Sequence, residues 1–275
     1  MPMTERIQQL FDLTGEVAVA IGAAGVLGGA IAKGFAEAGA KVAILDLNEE
    51  KGQARVEEIQ KVGGTAIFCK TDATDRESLQ AAREKVEAEL GPVTILLNAA
   101  GGNSPKVTVT PELKFEDLKL EDWNANFNLN LVGGALLPCQ VFGPGMVQRR
   151  KGSIINIASV SAHVPLSRVP AYSAAKAAVL NLTRVLAREW GPYGVRVNTI
   201  TPGFFPAEQN RRLLFNEDGT PTPRAQQILN HTPMGRMGEP EELVAAAIFL
   251  ASPKASSFVN GADLRVDGGF LAQTI

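Results

Sequence analysis

Seven short apolar runs punctuate the chain, and between them apolar positions recur at helical spacing. The runs are Val17–Ile21, Lys41–Leu45, Thr65–Lys70, Val93–Asn98, Ser153–Ile157, Val195–Ile200 and Asp263–Val266. They are rich in β-branched residues and do not alternate apolar with polar, which predicts strands covered by helices on both faces. The helical stretches are Gly28–Ala38, Glu49–Val62, Arg76–Glu89, Trp123–Gln148, Ala171–Trp190 and Glu239–Ala251. Strand and helix in alternation predict βαβ units, hence a doubly wound α/β fold of Rossmann type on a seven-stranded parallel sheet. No long linker, internal repeat or low-complexity tract interrupts the series, so residues 1–275 read as a single domain.

Two segments break the rhythm: 101–121, after the fourth run, and 203–240, after the sixth. Both leave the C-terminal ends of predicted strands, where open parallel sheets bind ligands. Excursions of this length in a compact α/β domain are commonly functional, and 203–240 is read as a substrate lid.

Composition narrows the function classes. Among 275 residues the formal charge is only −2, which offers no field for nucleic acid or an anionic membrane surface. No run reaches the roughly 18 apolar residues of a membrane span, and the N-terminal stretch lacks the basic and apolar regions of a secretory signal. The only thiols, Cys69 and Cys139, have no metal-ligand spacing and suit a reducing compartment. A cytoplasmic location is expected.

The first candidate chemistry is Gly22-Ala-Ala-Gly25-Val-Leu-Gly28, which follows a predicted strand and opens a helix. Glycines let backbone amides at a helix N-terminus approach a pyrophosphate. Asp46 ends the second strand, placed to accept hydrogen bonds from an adenosine ribose and to repel a 2′-phosphate. The glycine turn carries no Arg or Lys, so NAD is expected, with NADP the alternative. The second candidate is Tyr172 with Lys176, four residues apart on one helix face. A lysine ammonium beside a phenol stabilises the phenolate and brings its pKa toward neutrality. Taken alone, that pair is equally a common surface pair.

Taken together, the marks resemble the short-chain dehydrogenase/reductase family over nearly the whole chain. They are the glycine turn, Asp72 after the third strand, Asn98-Ala-Ala-Gly101, Asn130, Ser159, Tyr172-Ser-Ala-Ala-Lys176, Pro202-Gly203 and the C-terminal Val-Asp-Gly-Gly at 266–269. The resemblance implies Tyr172 as general acid/base, Lys176 as its partner and nicotinamide-ribose ligand, Ser159 on the substrate oxygen, and Asn130 in a water-mediated proton path. It implies cofactor contacts from Gly22, Gly25, Val26, Leu27, Asp46, Asp72, Ala73, Asn98, Ala99, Gly101, Tyr172, Lys176, Pro202, Gly203 and Phe205, with Asn98 also a stabiliser of the central sheet. It further implies a homotetramer, with the helices Trp123–Gln148 and Ala171–Trp190 at one interface. The chain departs from the usual pattern at Ile21, Val26, Ala99 and Ala207, so a re-shaped glycine turn is expected.

Within the family, the glycine turn and the polar Pro-Gly-Phe-Phe-Pro-Ala-Glu-Gln-Asn stretch are most similar to the D-mannonate oxidoreductase (fructuronate reductase) group. The resemblance implies a sugar-acid substrate. A carboxylate suits an arginine fork, which makes Arg211 and Arg212 candidates, with Gln209, Asn210, Asn103 and Ser104 as hydroxyl partners. His163 either faces the pocket or is a satisfied loop histidine, and Phe204 and Phe205 either flank the nicotinamide or pack in the core. The alternatives are a ketoreductase for another polyol, a ketogluconate or an apolar ketone, and a dinucleotide-binding regulator without catalysis.

Overall fold

The computed structural model describes residues 4–207 and 210–274. In chain order its elements are α1 (Glu5–Phe11), β1 (Val17–Ile21), α2 (Val26–Glu37), β2 (Lys41–Asp46), α3 (Glu49–Lys61), β3 (Ala66–Lys70), α4 (Arg76–Glu89) and β4 (Ile95–Asn98). Then come α5 (Leu120–Phe127), a π-helical segment (Asn128–Leu136), α6 (Leu137–Arg149), β5 (Gly152–Ile157), α7 (Pro170–Trp190) and β6 (Val195–Pro202). The chain closes with α8 (Arg211–Leu214), α9 (Pro223–His231), α10 (Val244–Ala251) and β7 (Asp263–Val266).

All seven strands are parallel, in the order β3-β2-β1-β4-β5-β6-β7. β1 and β4 are buried along their whole length, as expected of strands with helices on both faces. One face packs Ile31 and Phe35 of α2, Ile59 of α3 and Leu250 of α10 against the sheet. The other packs Leu79 and Val86 of α4, Phe142 and Met146 of α6 and Ala187 of α7. The sheet is therefore wound in both directions from β1, and its order reverses between β1 and β4, where such sheets open a ligand crevice. Among the described residues no helix is long and apolar enough to cross a membrane.

The expected elements are present, with two differences. α1 precedes the first strand; Ile7, Leu10 and Phe11 give it a short apolar stripe, but none of its residues is buried. The stretch expected as one helix from Trp123 to Gln148 is α5, the π-helical segment and α6 in succession. The segment 203–240 contains α8 and α9, whose Leu214, Ala225 and Ile228 form a small apolar cluster of their own.

Candidate active site

The chain leaves β1 at Gly22, whose φ of +76° lies in the left-handed region. A Cβ there would sit 2.5 Å from the amide nitrogen of Ala100, so the exits of β1 and β4 touch only because this residue has no side chain. A Cβ on Gly28 would likewise come 2.8 Å from the Gly22 carbonyl oxygen, which lets α2 start hard against the turn. Gly25 is the N-cap of α2 and provides no capping side chain. The first amides of α2, at Val26 and Leu27, thus have no side-chain acceptor from the cap. Asp46, at the end of β2, accepts from the Ala24 amide through Oδ2 (3.1 Å) and from the Asn48 amide through Oδ1 (3.0 Å). Its carboxylate is held on the glycine turn. Asp72 folds the loop after β3, accepting from the Thr74 amide (2.8 Å) and hydroxyl (2.7 Å), and the adjacent Ala73 is buried.

Lys176 and Tyr172 lie one turn apart on α7, with the lysine Nζ 5.7 Å from the centre of the phenol ring. Lys176 is 3 % exposed and donates to the Ile157 carbonyl at 2.7 Å, which ties α7 to the end of β5. No carboxylate pairs with it among the described residues, and burial lowers its pKa from 10.5 to about 8. Burial raises the Tyr172 phenol above its ordinary value, opposed by a hydrogen bond with Ser159. The Ser159 oxygen also accepts the Ser161 amide at 3.2 Å, which orients the hydroxyl from below. Gly101, at φ +149°, makes room for the group: a Cβ there would lie 2.6 Å from Asn130 Oδ1 and 3.4 Å from Lys176 Nζ.

Asn130 is fully buried in the π-helical segment. Its Oδ1 accepts from the Gly102 amide (2.9 Å), and its Nδ2 donates to the carbonyls of Gly102 (2.8 Å) and Asn126 (2.9 Å). Asn126, not singled out in the sequence, donates to the same Gly102 carbonyl at 3.1 Å; the repeat of Asn at four-residue spacing was its available signal. Asn98 is turned into the sheet, donating to Asn156 Oδ1 at 2.8 Å, and Asn156 in turn donates to Thr183 of α7 at 2.8 Å. This buried polar ladder joins β4, β5 and the helix that carries Tyr172.

The candidate substrate residues are less tightly gathered. Asn103 is exposed and donates to Thr108 at 2.6 Å. His163 places its Nε2 3.1 Å from Asp263 Oδ2 at the start of β7, an approach without hydrogen-bond geometry, since that oxygen finds no hydrogen-bond partner among the described residues. Arg211 is exposed over the Phe215 ring at 5.9 Å. Gln209 and the side chain of Arg212 lie outside the described residues. Phe205 is buried in the core, with Gly238 closely against its ring, and Phe204 stacks at 5.2 Å on Phe270. Pro202 ends β6, and at Gly203 a Cβ would meet Asp267 Cα at 2.7 Å, so the chain leaves β6 pressed against the turn after β7.

Over residues 22–271 the chain matches the family model described as enoyl-(acyl carrier protein) reductase, a model of short-chain dehydrogenase/reductases. The chain belongs to the short-chain dehydrogenase/reductase family. Its fold superposes with a TM-score of 0.91, at 42 % identity, on a Haemophilus influenzae protein provisionally described as a D-mannonate oxidoreductase with bound NAD, covering 98 % of this chain and 99 % of that one. A gluconate 5-dehydrogenase from Burkholderia cenocepacia in complex with NADP and tartrate superposes with a TM-score of 0.87 at 34 % identity, covering 98 % and 100 % of the two chains. The D-threitol dehydrogenase of Mycolicibacterium smegmatis is 40 % identical over 260 residues, 94 % of each chain.

A short-chain dehydrogenase/reductase must accommodate a nicotinamide dinucleotide, and the residues present fit one. The turn at Gly22 and Gly28 is packed too closely against Ala99, Ala100 and its own backbone to take any side chain, which keeps it short and bare. α2 begins without a side-chain cap, leaving amides and a positive helix end for a pyrophosphate. Asp46 stands beside that turn as a hydroxyl acceptor.

Proposed function

We infer that this short-chain dehydrogenase/reductase interconverts a secondary alcohol and a ketone on a sugar acid, with D-mannonate and D-fructuronate the first pair to test. The observation that carries the reading is the cluster of Tyr172, Ser159, Lys176 and Asn130, gathered where β4 and β5 end. A dinucleotide held by the glycine turn would supply the hydride acceptor or donor. In the oxidative direction the substrate hydroxyl gives its proton to the Tyr172 oxygen as the carbinol hydrogen leaves as hydride; in reduction both movements reverse. Ser159 holds the reacting oxygen beside the phenol. Burial keeps the phenol above its ordinary pKa in the bare protein even with Lys176 beside it, so the phenolate depends on further positive charge, which oxidised nicotinamide would bring. The Asn130 side chain is committed to Gly102 and Asn126, so its share of a water-mediated proton path to Lys176 falls to its main-chain carbonyl.

Gly22, Gly25, Val26 and Leu27 would take the pyrophosphate, and Asp46 the adenosine ribose, favouring NAD over NADP. Asp72 and Ala73 would flank the adenine, and Ala99, Gly101, Pro202 and Gly203 would line the nicotinamide side. The segment 203–240 would act as the lid, with Arg211 a candidate for substrate contact. Similarity to the protein provisionally described as a D-mannonate oxidoreductase and to a gluconate 5-dehydrogenase supports the sugar acid. Similarity to a D-threitol dehydrogenase supports a second reading, a neutral polyol. The assembly inferred is a cytoplasmic homotetramer, supported by apolar Leu120, Leu129 and Val185 exposed on α5, the π-helical segment and α7.

The test is a panel of hexonates, ketogluconates, hexuronates and neutral polyols, each with NAD(H) and NADP(H), followed by nicotinamide absorbance. Turnover of hexonates or hexuronates with NAD(H) is the expected result. Turnover of neutral polyols alone would replace the sugar-acid reading with the polyol one.

A further inference from the structure

Three segments meet above the site at a point that the sequence did not single out. Arg224, on α9, donates to the Ser167 hydroxyl at 3.0 Å and to the Ser167 carbonyl at 3.4 Å. Ser167 and Arg168 belong to the connection from β5 to α7, and Arg168 precedes Tyr172 by four residues. The Arg168 carbonyl accepts the amide of Val109 at 2.9 Å, which brings in the segment after β4. The three segments leave neighbouring strands β4, β5 and β6 at their C-terminal ends, the end at which parallel sheets bind ligands.

The Arg224 guanidinium is thereby held against the residue next to Arg168, near enough to feel its charge. Among the described residues neither Arg168 nor Arg224 forms an ion pair with a carboxylate. Arg224 donates only to the neutral Ser167. Burial first, and then the charge of Arg168, hold its guanidinium below the ordinary value. Arg168 also adopts φ +76°, a conformation rare for a residue with a long side chain. Strained backbone of this kind persists where the surroundings over-determine it and gathers at ligand clamps. Two like charges without an acid partner are relieved by a shared anion, and a carboxylate fits the planar fork of each.

We propose that Arg168 and Arg224 together hold the carboxylate of the sugar-acid substrate, placing its carbon chain along the face of Tyr172. This rests on the sugar-acid reading above and shifts the carboxylate from the α8 arginine, Arg211, to a pair on two other segments, of which Arg168 is exposed and Arg224 half-buried. Because Arg168 lies on the loop that runs into α7, binding there would register the substrate directly against the acid/base residue.

The experiment compares the full chain with Arg168→Asn, Arg224→Gln and Arg211→Ala, using the hexonate that the native chain oxidises best and the neutral polyol that it oxidises best. Asparagine tolerates the left-handed backbone, so Arg168→Asn removes the charge without asking the loop to refold; Arg224→Gln tests the same anion site from another element should the first variant fail to fold. The expected result is a fall of roughly ten- to a hundredfold in the hexonate-to-polyol ratio of kcat/KM for each of these two, carried by KM, with a smaller change for Arg211→Ala. An unchanged ratio in both variants overturns the proposal, as does a ratio that collapses only in Arg211→Ala. Equal losses on both substrates with a changed assembly size by light scattering would also overturn it, since the anion would then be an acidic side chain of a neighbouring copy. A native chain that oxidises polyols but no hexonate removes the sugar-acid reading itself, and this proposal with it.

Discussion

Replacing Lys176 by Met separates the electrostatic part of the site from its packing. The methionine keeps the apolar stem and removes the charge from a position 3 % exposed to solvent. Burial lowers the lysine from 10.5 to about 8, so between those values the unfolded chain binds a proton that the folded chain does not. Stability contributed by this group is complete above 10.5 and is lost as the pH falls to about 8. At about 1.4 kcal/mol per pH unit, the separation amounts to roughly 3 kcal/mol. The Ile157 carbonyl loses its donor in the variant, a loss that is the same at every pH and drops out of the slope. Cys139, pushed up to about 12 by burial, destabilises the fold as pH rises through its unfolded value, in native and variant alike. Urea unfolding followed by tryptophan fluorescence at pH 7.5 and pH 10, at matched protein concentration and without nucleotide, should show the native chain gaining about 2–3 kcal/mol relative to Lys176→Met. Parallel pH dependences would mean that the ammonium is solvated in the free protein, and burial would no longer explain its charge state.

Two further outcomes test the chemistry and the cofactor. Tyr172→Phe should lower turnover by at least about a hundredfold, the usual share of a positioned acid/base, while NADH titration by fluorescence stays close to native; near-native turnover would remove Tyr172 from the mechanism. Asp46→Ala should narrow the ratio of kcat/KM for NAD over NADP by about tenfold or more, because one like charge no longer faces a 2′-phosphate, and a native preference for NADP would show that the carboxylate serves only to hold Ala24 and Asn48.

Continuous apolar runs made the sheet legible, because burial on both faces leaves no alternation to confuse with a surface strand. The parallel order followed from helices standing between the runs. The π-helical segment was not legible, because hydrophobic spacing reports which positions are buried and not the width of the turn that buries them. α1 was missed although Ile7, Leu10 and Phe11 recur at helical spacing, because a helix of 7 residues repeats its stripe over only about two turns. Among candidate site residues, Tyr172, Lys176 and Ser159 share one connected stretch of chain, so motif spacing suffices to pick them out. His163 could not be assigned from its neighbours, since Asp263 lies 100 residues away and meets it only through the β6–β7 edge. Arg168 and Arg224 are 56 residues apart, and only the return of α9 over the β5–α7 connection brings Arg224 onto Ser167, the neighbour of Arg168.

The π-helical segment also bears on how this chain tolerates changes in length. Surface loops absorb an added or missing residue because their ends can be rejoined in many ways. Between Asn128 and Leu136 the outcome differs: removing one residue would let the wide turns revert to α turns, and the residues within them, Asn130 among them, would change direction. Asn130 would swing off Gly102, and the glycine loop that clears space beside Lys176 would lose its anchor. The helix would remain apolar, well packed and foldable. Residue count within this stretch, and not side-chain identity alone, is therefore part of what makes the site.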